Sequence, residues 1–320
     1  TSAFASGFLL IATSAAQAQT SAYPTRPIRA VVPLAPGGGT DTVARLVAAK
    51  MSEQLGQQMV IDNRGGGGGI VGTDLVAKAT PDGYTLLMGS ITTNAVNPVL
   101  YKKLPYDHIR DFAAISMIGT VPNVLVVHAS LPVKSVKEFL AYAKAQPNGL
   151  DYATSGPGTS THLAAEMLRS MTGVPLVHVP FKGNAEVLNA LLGGHVKVHF
   201  ALVASSLQHV KNGTLRALAV TTEKRLSSLP DVPTIAELGL PGYEISSWQA
   251  MFAPAGTPKD VVAKINGETT RMLAQPDVRE RIAKEGADPV GSTPEQFSIR
   301  IRSEIEKWSR VIKDANIKMN

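Results

Sequence analysis

No cysteine occurs in the 320 residues, so disulfide staples, thiolate catalysis and cysteine-based metal sites are excluded. No apolar run reaches the ~18 residues that a membrane-spanning helix needs. The formal net charge of +6 comes from scattered Lys and Arg, with no block of five or more like charges. That is a mild bias toward anionic ligands and a poor signal for nucleic acid. No Gly-x-Ser-x-Gly elbow is present, and Ser160 and His162 lie two apart, a spacing that cannot form a hydrolase relay on a helix. Histidines are few and dispersed. The one close pair, His195 and His199, has Val196, Val198 and Phe200 interleaved, which reads as a strand and not as a metal-binding helix face.

What is present separates into an address and a body. Thr1–Gln19 is uncharged, carries the apolar stretch Phe8–Ala12 and ends in Ala16-Gln17-Ala18, the small-x-small pattern cut by a signal peptidase. Residues 1–18 are therefore expected to be a signal peptide that lacks its first few residues, and the mature protein to be exported and soluble. About 300 remaining residues are too many for one ordinary core and fit two domains of about 150 each.

Along the body, short β-rich runs alternate with helical patterns. Ile28–Pro33, Met59–Ile61, Tyr84–Met88, Val124–Val127, Asp151–Thr154, Val177–Pro180, Val196–Ala201 and Arg216–Thr221 read as strands. Helices are expected after Val43, over Ser135–Lys144, after Ser160, from Pro258, over Asp277–Glu285 and over Pro294–Ala315. Strands alternating with helices imply mainly parallel sheets in an α/β fold. Trp248, within Ser246–Phe252, reads as a buried strand or cleft edge.

Two segments repeat the order strand, glycine-rich turn, helix start: Pro36–Asp41 and Ser155–His162. In open α/β sheets, ligands bind beside such turns at the carboxyl ends of the strands. Glycines admit close backbone approach, and a helix start offers unpaired N–H groups and a positive dipole end to an anion. In the first turn Thr40 or Asp41 can cap the helix. The second adds the hydroxyls of Ser155, Thr159, Ser160 and Thr161. The Gly67-x-Gly69-x-x-Gly72 match to a dinucleotide fingerprint lacks a ribose-binding acid after Tyr84–Met88, so a nicotinamide-dependent oxidoreductase is a distant alternative. No cofactor is expected.

Taken together these segments resemble the periplasmic receptors of tripartite tricarboxylate transporters, the Bug-type solute-binding family. The residues that carry the resemblance include Tyr23-Pro24-x-Arg26-Pro27-Ile28, Pro36–Asp41, Pro81–Leu86, Pro180–Gly183, Leu215–Val220, Leu229–Thr234 and Leu240–Tyr243. The resemblance implies a two-lobed α/β binding protein of the Venus-flytrap type (type II-like) that closes on its ligand without catalysis. Lobe 1 is expected over 19–122 and 224–320 and lobe 2 over 123–223, with crossings near Val121–Val124 and Thr221–Arg225. It further implies a ligand carboxylate held by the amides of Gly38, Gly39 and Thr40. Ser90 and Thr92 would line one wall, and Ser155, Gly156, Thr159, Ser160 and His162 the other, with Asp41 and Lys182 adjacent. Where family members often carry acids, this chain has Asn189, Lys197, Ala201 and Leu202. A ligand without a free amine is therefore expected, a dicarboxylate or an aromatic carboxylate. The implied partners are that small carboxylate and, transiently, membrane permease subunits, with the receptor a monomer. A ligand-sensing co-receptor for signalling is the alternative.

Overall fold

The computed structural model describes residues 23–314 apart from Ala35, Gly38, Ser227, Glu285 and Gly286; the expected signal peptide lies outside them. Ten strands and ten α-helices alternate along these residues. The first is β1 (Ile28–Val32), a β-branched run with four of five residues buried, as a strand covered on both faces requires. The glycine-rich turn after it feeds α1 (Gly39–Leu55). Then come β2 (Met59–Asn63), α2 (Ile70–Ala77), β3 (Thr85–Ser90), a π-helical turn over Thr92–Val96, and α3 (Asn97–Leu100). Strand β4 (Phe112–His128) runs 17 residues without interruption. After it follow α4 (Val136–Lys144), β5 (Leu150–Thr154), α5 (Ser160–Thr172), β6 (Leu176–Pro180), α6 (Asn184–Leu192), β7 (Val198–Leu202), α7 (Val203–Lys211) and β8 (Leu215–Val220). The chain ends through β9 (Ser246–Pro254), α8 (Lys259–Leu273), α9 (Pro276–Lys284), the short β10 (Asp288–Pro289) and α10 (Pro294–Asp314).

Local chemistry sets several of these limits. The Ser135 hydroxyl accepts the Glu138 N–H at 3.2 Å while Glu138 accepts the Lys134 N–H, so α4 starts where the sequence pattern puts it. Helix α5 stops at Gly173, whose φ of 64° is left-handed.

Strand pairing repeats one order twice. In the first set β2-β1-β3 are parallel, β9 is antiparallel to β3, and β4 closes the order. In the second, β6-β5-β7 are parallel, β4 is antiparallel to β7, and β8 closes it. Strand β4 is common to both, pairing with β9 as far as Pro122 and with β7 and β8 from Asn123 onward. Two register shifts against β9 and one against β8 bend it along the way.

The register fixes the geometry that matters for function. Ser90, the last residue of β3, lies opposite Gln249 near the start of β9, and β9 begins opposite Pro122. Leu202, the last residue of β7, lies opposite Asn123. The carboxyl ends of both parallel sets therefore meet at Pro122–Asn123. The Asn123 side chain donates to the Phe200 carbonyl at 3.0 Å, and Thr221 donates to the carbonyl of Ile245 at 2.6 Å, so this junction is tied by buried polar bonds. Core packing divides accordingly. Val43, Val47 and Met51 of α1 pack with Ile265 and Met272 of α8; Val187, Leu191 and Val203 pack with Val124 and Val126. The largest cluster joins Trp248, Phe297 and Trp308 with Phe139, Tyr152 and Leu163. Phe297, Ile301, Trp308 and Ile312 of α10 thus belong to a cluster that also takes in the second set.

Candidate functional site at the meeting of two strand rims

Four turns stand at these opposed carboxyl ends, after β1, β3, β5 and β7. In the first, Gly37 takes a left-handed φ of 83° and α1 begins at Gly39. Gly38 lies outside the described residues. Asp41, in the first turn of α1, is buried. One of its oxygens accepts the Gly37 N–H at 2.9 Å and the Arg45 Nε at 3.0 Å, and the other accepts the Asn63 amide at 2.9 Å. Burial opposes ionisation of this carboxyl, but the bonds from Arg45, Gly37 and Asn63 outweigh it and hold the pKa below the ordinary carboxylate value. Asp41 is thus engaged in shaping the turn from behind, and Thr40 beside it is half-buried.

At the end of β3, the buried Ser90 donates its N–H to Thr93 Oγ1 at 3.0 Å, and that hydroxyl donates to Asn94 Oδ1 at 2.7 Å. Gly89 is needed here because a Cβ would fall 2.2 Å from Asn94 Oδ1 and 2.8 Å from the Phe252 ring. Thr92 reaches across to the second set, its Oγ1 donating to the Gly158 carbonyl at 3.4 Å. The structure therefore brings these two expected site segments into contact.

The turn after β5 is built from side chains bonding its own backbone. Ser155 N–H bonds Thr161 Oγ1 at 3.1 Å, Gly156 N–H bonds Thr154 Oγ1 at 3.2 Å, and Thr159 Oγ1 donates to the Gly156 carbonyl at 2.7 Å. Ser160 opens α5, and His162 accepts the Gly158 N–H on Nδ1 at 3.2 Å. Lys182 follows β6, is exposed, and donates its backbone N–H to Glu186 at 3.2 Å. It stands beside the turn through Phe181, whose carbonyl lies 3.6 Å from where a Cβ on Gly156 would be.

The turn after β7 is the one sequence reasoning passed over. Helix α7 starts at Val203 with no side-chain cap, and Ser205 and Ser206 both donate to the Leu202 carbonyl. The repeated strand order makes it the counterpart of Ser90–Asn94. The pattern Leu202-Val203-Ala204 holds no glycine or polar cap to mark it. Across the four turns, 36–41, 89–94, 155–160 and 202–206, the sole carboxylate is Asp41, already bonded on both oxygens. Helix starts and hydroxyls with no free acid favour an anion.

The glycines of the fingerprint-like stretch form a 3₁₀ turn, Gly67–Gly69, that leads into α2. Strand β3 ends in Gly89-Ser90, with no acid to hold a ribose. His195 is exposed and His199 is buried inside β7, and among the described residues no group of three metal-binding side chains occurs.

The doubled strand order and the facing, acid-poor turns define a two-lobed solute-binding protein. Residues 43–317 match the model of the tripartite tricarboxylate transporter family receptor, and the chain belongs to that family. It is 38% identical to Protein BugT of Bordetella pertussis over 313 residues, which is 98% of this chain and 96% of that protein. An R. palustris protein solved with adipate superposes with a TM-score of 0.84 at 40% identity, over 92% of this chain and 99% of that one. MatC from Rhodopseudomonas palustris, with bound malate, gives a TM-score of 0.80 at 34% identity, over 91% and 100%. The protein is accordingly a carboxylate-binding receptor of a tripartite tricarboxylate transporter, of the Bug type, and not an enzyme. The similar BugD is a periplasmic binding protein, and among the described residues of this chain no helix is long and apolar enough to cross a membrane.

Proposed function

We propose that the ligand is a dicarboxylate or an aromatic carboxylate without a free amine, clamped between the two rims. The observation that carries this reading is that both carboxyl-end rims face each other at Pro122–Asn123 while their turns offer no unengaged carboxylate. An ammonium would find no counter-charge there, and an unpaired buried charge is costly. In this reading Gly38, Gly39 and Thr40 present amides to one carboxylate. Ser90 and Thr92 form one wall, Ser155, Gly156, Thr159 and Ser160 the other, and Lys182 supplies positive charge at the margin. Adipate and malate, the ligands of the two R. palustris proteins, are the first compounds to try.

Lobe 1 comprises 19–122 and 224–320 and lobe 2 comprises 123–223. The change of partner along β4 at Asn123 supports the first crossing, and the bonds of Thr221 to Asn123 and Ile245 support the second. A ligand that bonds both lobes favours the closed state by differential contact. The closed monomer, exported to the periplasm by its signal peptide, then docks transiently on permease subunits.

A thermal-shift screen against mono-, di- and aromatic carboxylates, amino acids and nicotinamide compounds tests this. A ligand at about 100 times its dissociation constant stabilises the fold by about 2.7 kcal/mol. A shift with dicarboxylates or aromatic carboxylates is expected. A response confined to amino acids or NAD would overturn the ligand assignment.

A further inference from the structure

Beneath the second glycine turn lies a stack of three rings that the carboxylate site does not itself require. The His162 ring stacks on His178 with centroids 4.2 Å apart and planes at 24°, and His178 stacks on Tyr152 at 5.3 Å and 22°. Both glycine amides of the turn end on this stack. Gly158 N–H bonds His162 Nδ1 directly, and Gly156 N–H bonds Thr154 Oγ1, which itself lies 2.6 Å from His178 Nε2. Both glycines are buried and have positive φ, 125° at Gly156 and 72° at Gly158. Neither N–H joins a helix or sheet ladder; each is met by a side chain, and without it would be left orphaned. The same Gly158 carries the carbonyl that receives Thr92 Oγ1 from the other strand set.

We infer that His162 is a positioning residue: stacked on His178 and with Nδ1 bare, it holds Gly158, and through Gly158 the second turn and its bridge to Thr92. It acts on the ligand through the turn and does not contact it. This rests on the carboxylate-clamp reading for its effect on affinity, whereas its effect on the turn is independent of any ligand. The charged and titratable groups facing His162 are His178 on β6 and, on its own helix, Glu166 and Arg169. Glu166 is itself engaged, accepting Tyr152 OH at 2.7 Å and Arg169 Nε at 2.9 Å. Burial and the neighbouring His178 push the His162 pKa down to about 4 against the pull of Glu166, so the ring is neutral at pH 7 with its proton on Nε2.

The test is hydrogen–deuterium exchange of peptides spanning 153–163 in the ligand-free protein at pH 7, comparing wild type, His162→Asn and His162→Ala. Asparagine carries its Oδ1 at the position of Nδ1 and keeps the acceptor; alanine deletes it. Exchange at Gly156–Gly158 is expected to accelerate at least about tenfold in H162A and to return to near the wild-type rate in H162N. Long-range ¹H–¹⁵N spectra are expected to show the Nε2–H tautomer. Unchanged exchange in H162A, equal acceleration in H162N, or an Nδ1–H tautomer would overturn the inference. Should H162A not fold, His162→Gln, whose acceptor lies one bond further out, takes its place with the same expectation. The carboxylate screen run alongside separates the two claims: a wild type silent to every carboxylate sinks the clamp and leaves the exchange result standing.

Discussion

His199 lies within β7 with no solvent exposure, its Nδ1 donating to the Ala153 carbonyl at 2.9 Å and its Nε2 buried without a hydrogen-bond partner. Burial lowers its pKa from 6.5 to about 4, more than the Ala153 carbonyl raises it. In the unfolded chain the ring gains a proton as pH falls through about 6.5, whereas the folded ring resists until about 4. The folded-state pKa is depressed, so the unfolded state binds more protons between these values. Stability is therefore lost as pH falls through that window. At pH 5 the linkage integral gives a loss of about 2 kcal/mol relative to pH 7.5. His199→Asn keeps a donor for Ala153 and removes the titration. Its constant cost from lost volume is present at every pH, so the gap between wild type and variant should narrow by about 2 kcal/mol between pH 7.5 and pH 5. Urea unfolding of both proteins across that range reads the gap directly. Parallel stability curves would refute the burial argument for this ring.

Other substitutions probe the turns and their supports. Gly89→Ala places a methyl against Asn94 Oδ1 and Phe252 and should cost about 1–3 kcal/mol, read as a lower Tm together with weaker carboxylate binding. Asp41→Ala leaves the Gly37 N–H without its acceptor and the Asn63 amide with only the Leu34 carbonyl, and should destabilise by about 1–3 kcal/mol in urea unfolding. Tyr243→Phe removes the buried bond to the Ala164 carbonyl on α5, 2.6 Å long, and should cost about 1 kcal/mol by the same measurement.

Much of this architecture was legible in the sequence because the signals are local. β-Branched runs such as Ile28–Val32 and the two glycine turns before α1 and α5 depend on neighbours a few residues away. Strand β4 was visible only as Val124–Val127. Its first half, Phe112–Thr120, mixes Ala, Ser, Met and Gly around bulges that break the two-residue period, and Pro122 reads as an interruption. Helix α7 and the turn after β7 carry no punctuation that marks a start. The alternation in Val196–Phe200 put His199 on the polar side, yet both faces of β7 are covered and the ring is buried. The bond from Thr92 to Gly158 joins residues 66 apart and follows from strand order, which no short window contains. The roles of Asp41 and His162 as supports behind the turns likewise emerge only from their partners.

The central claim, a clamp for amine-free carboxylates between two opposed rims, is tested most directly by titration calorimetry of adipate, malate, aromatic carboxylates and glutamate into the purified mature protein. Saturable one-to-one binding of a dicarboxylate, with glutamate silent, is the predicted result. Tight binding of glutamate, or silence from adipate, malate and the aromatic carboxylates alike, would contradict it.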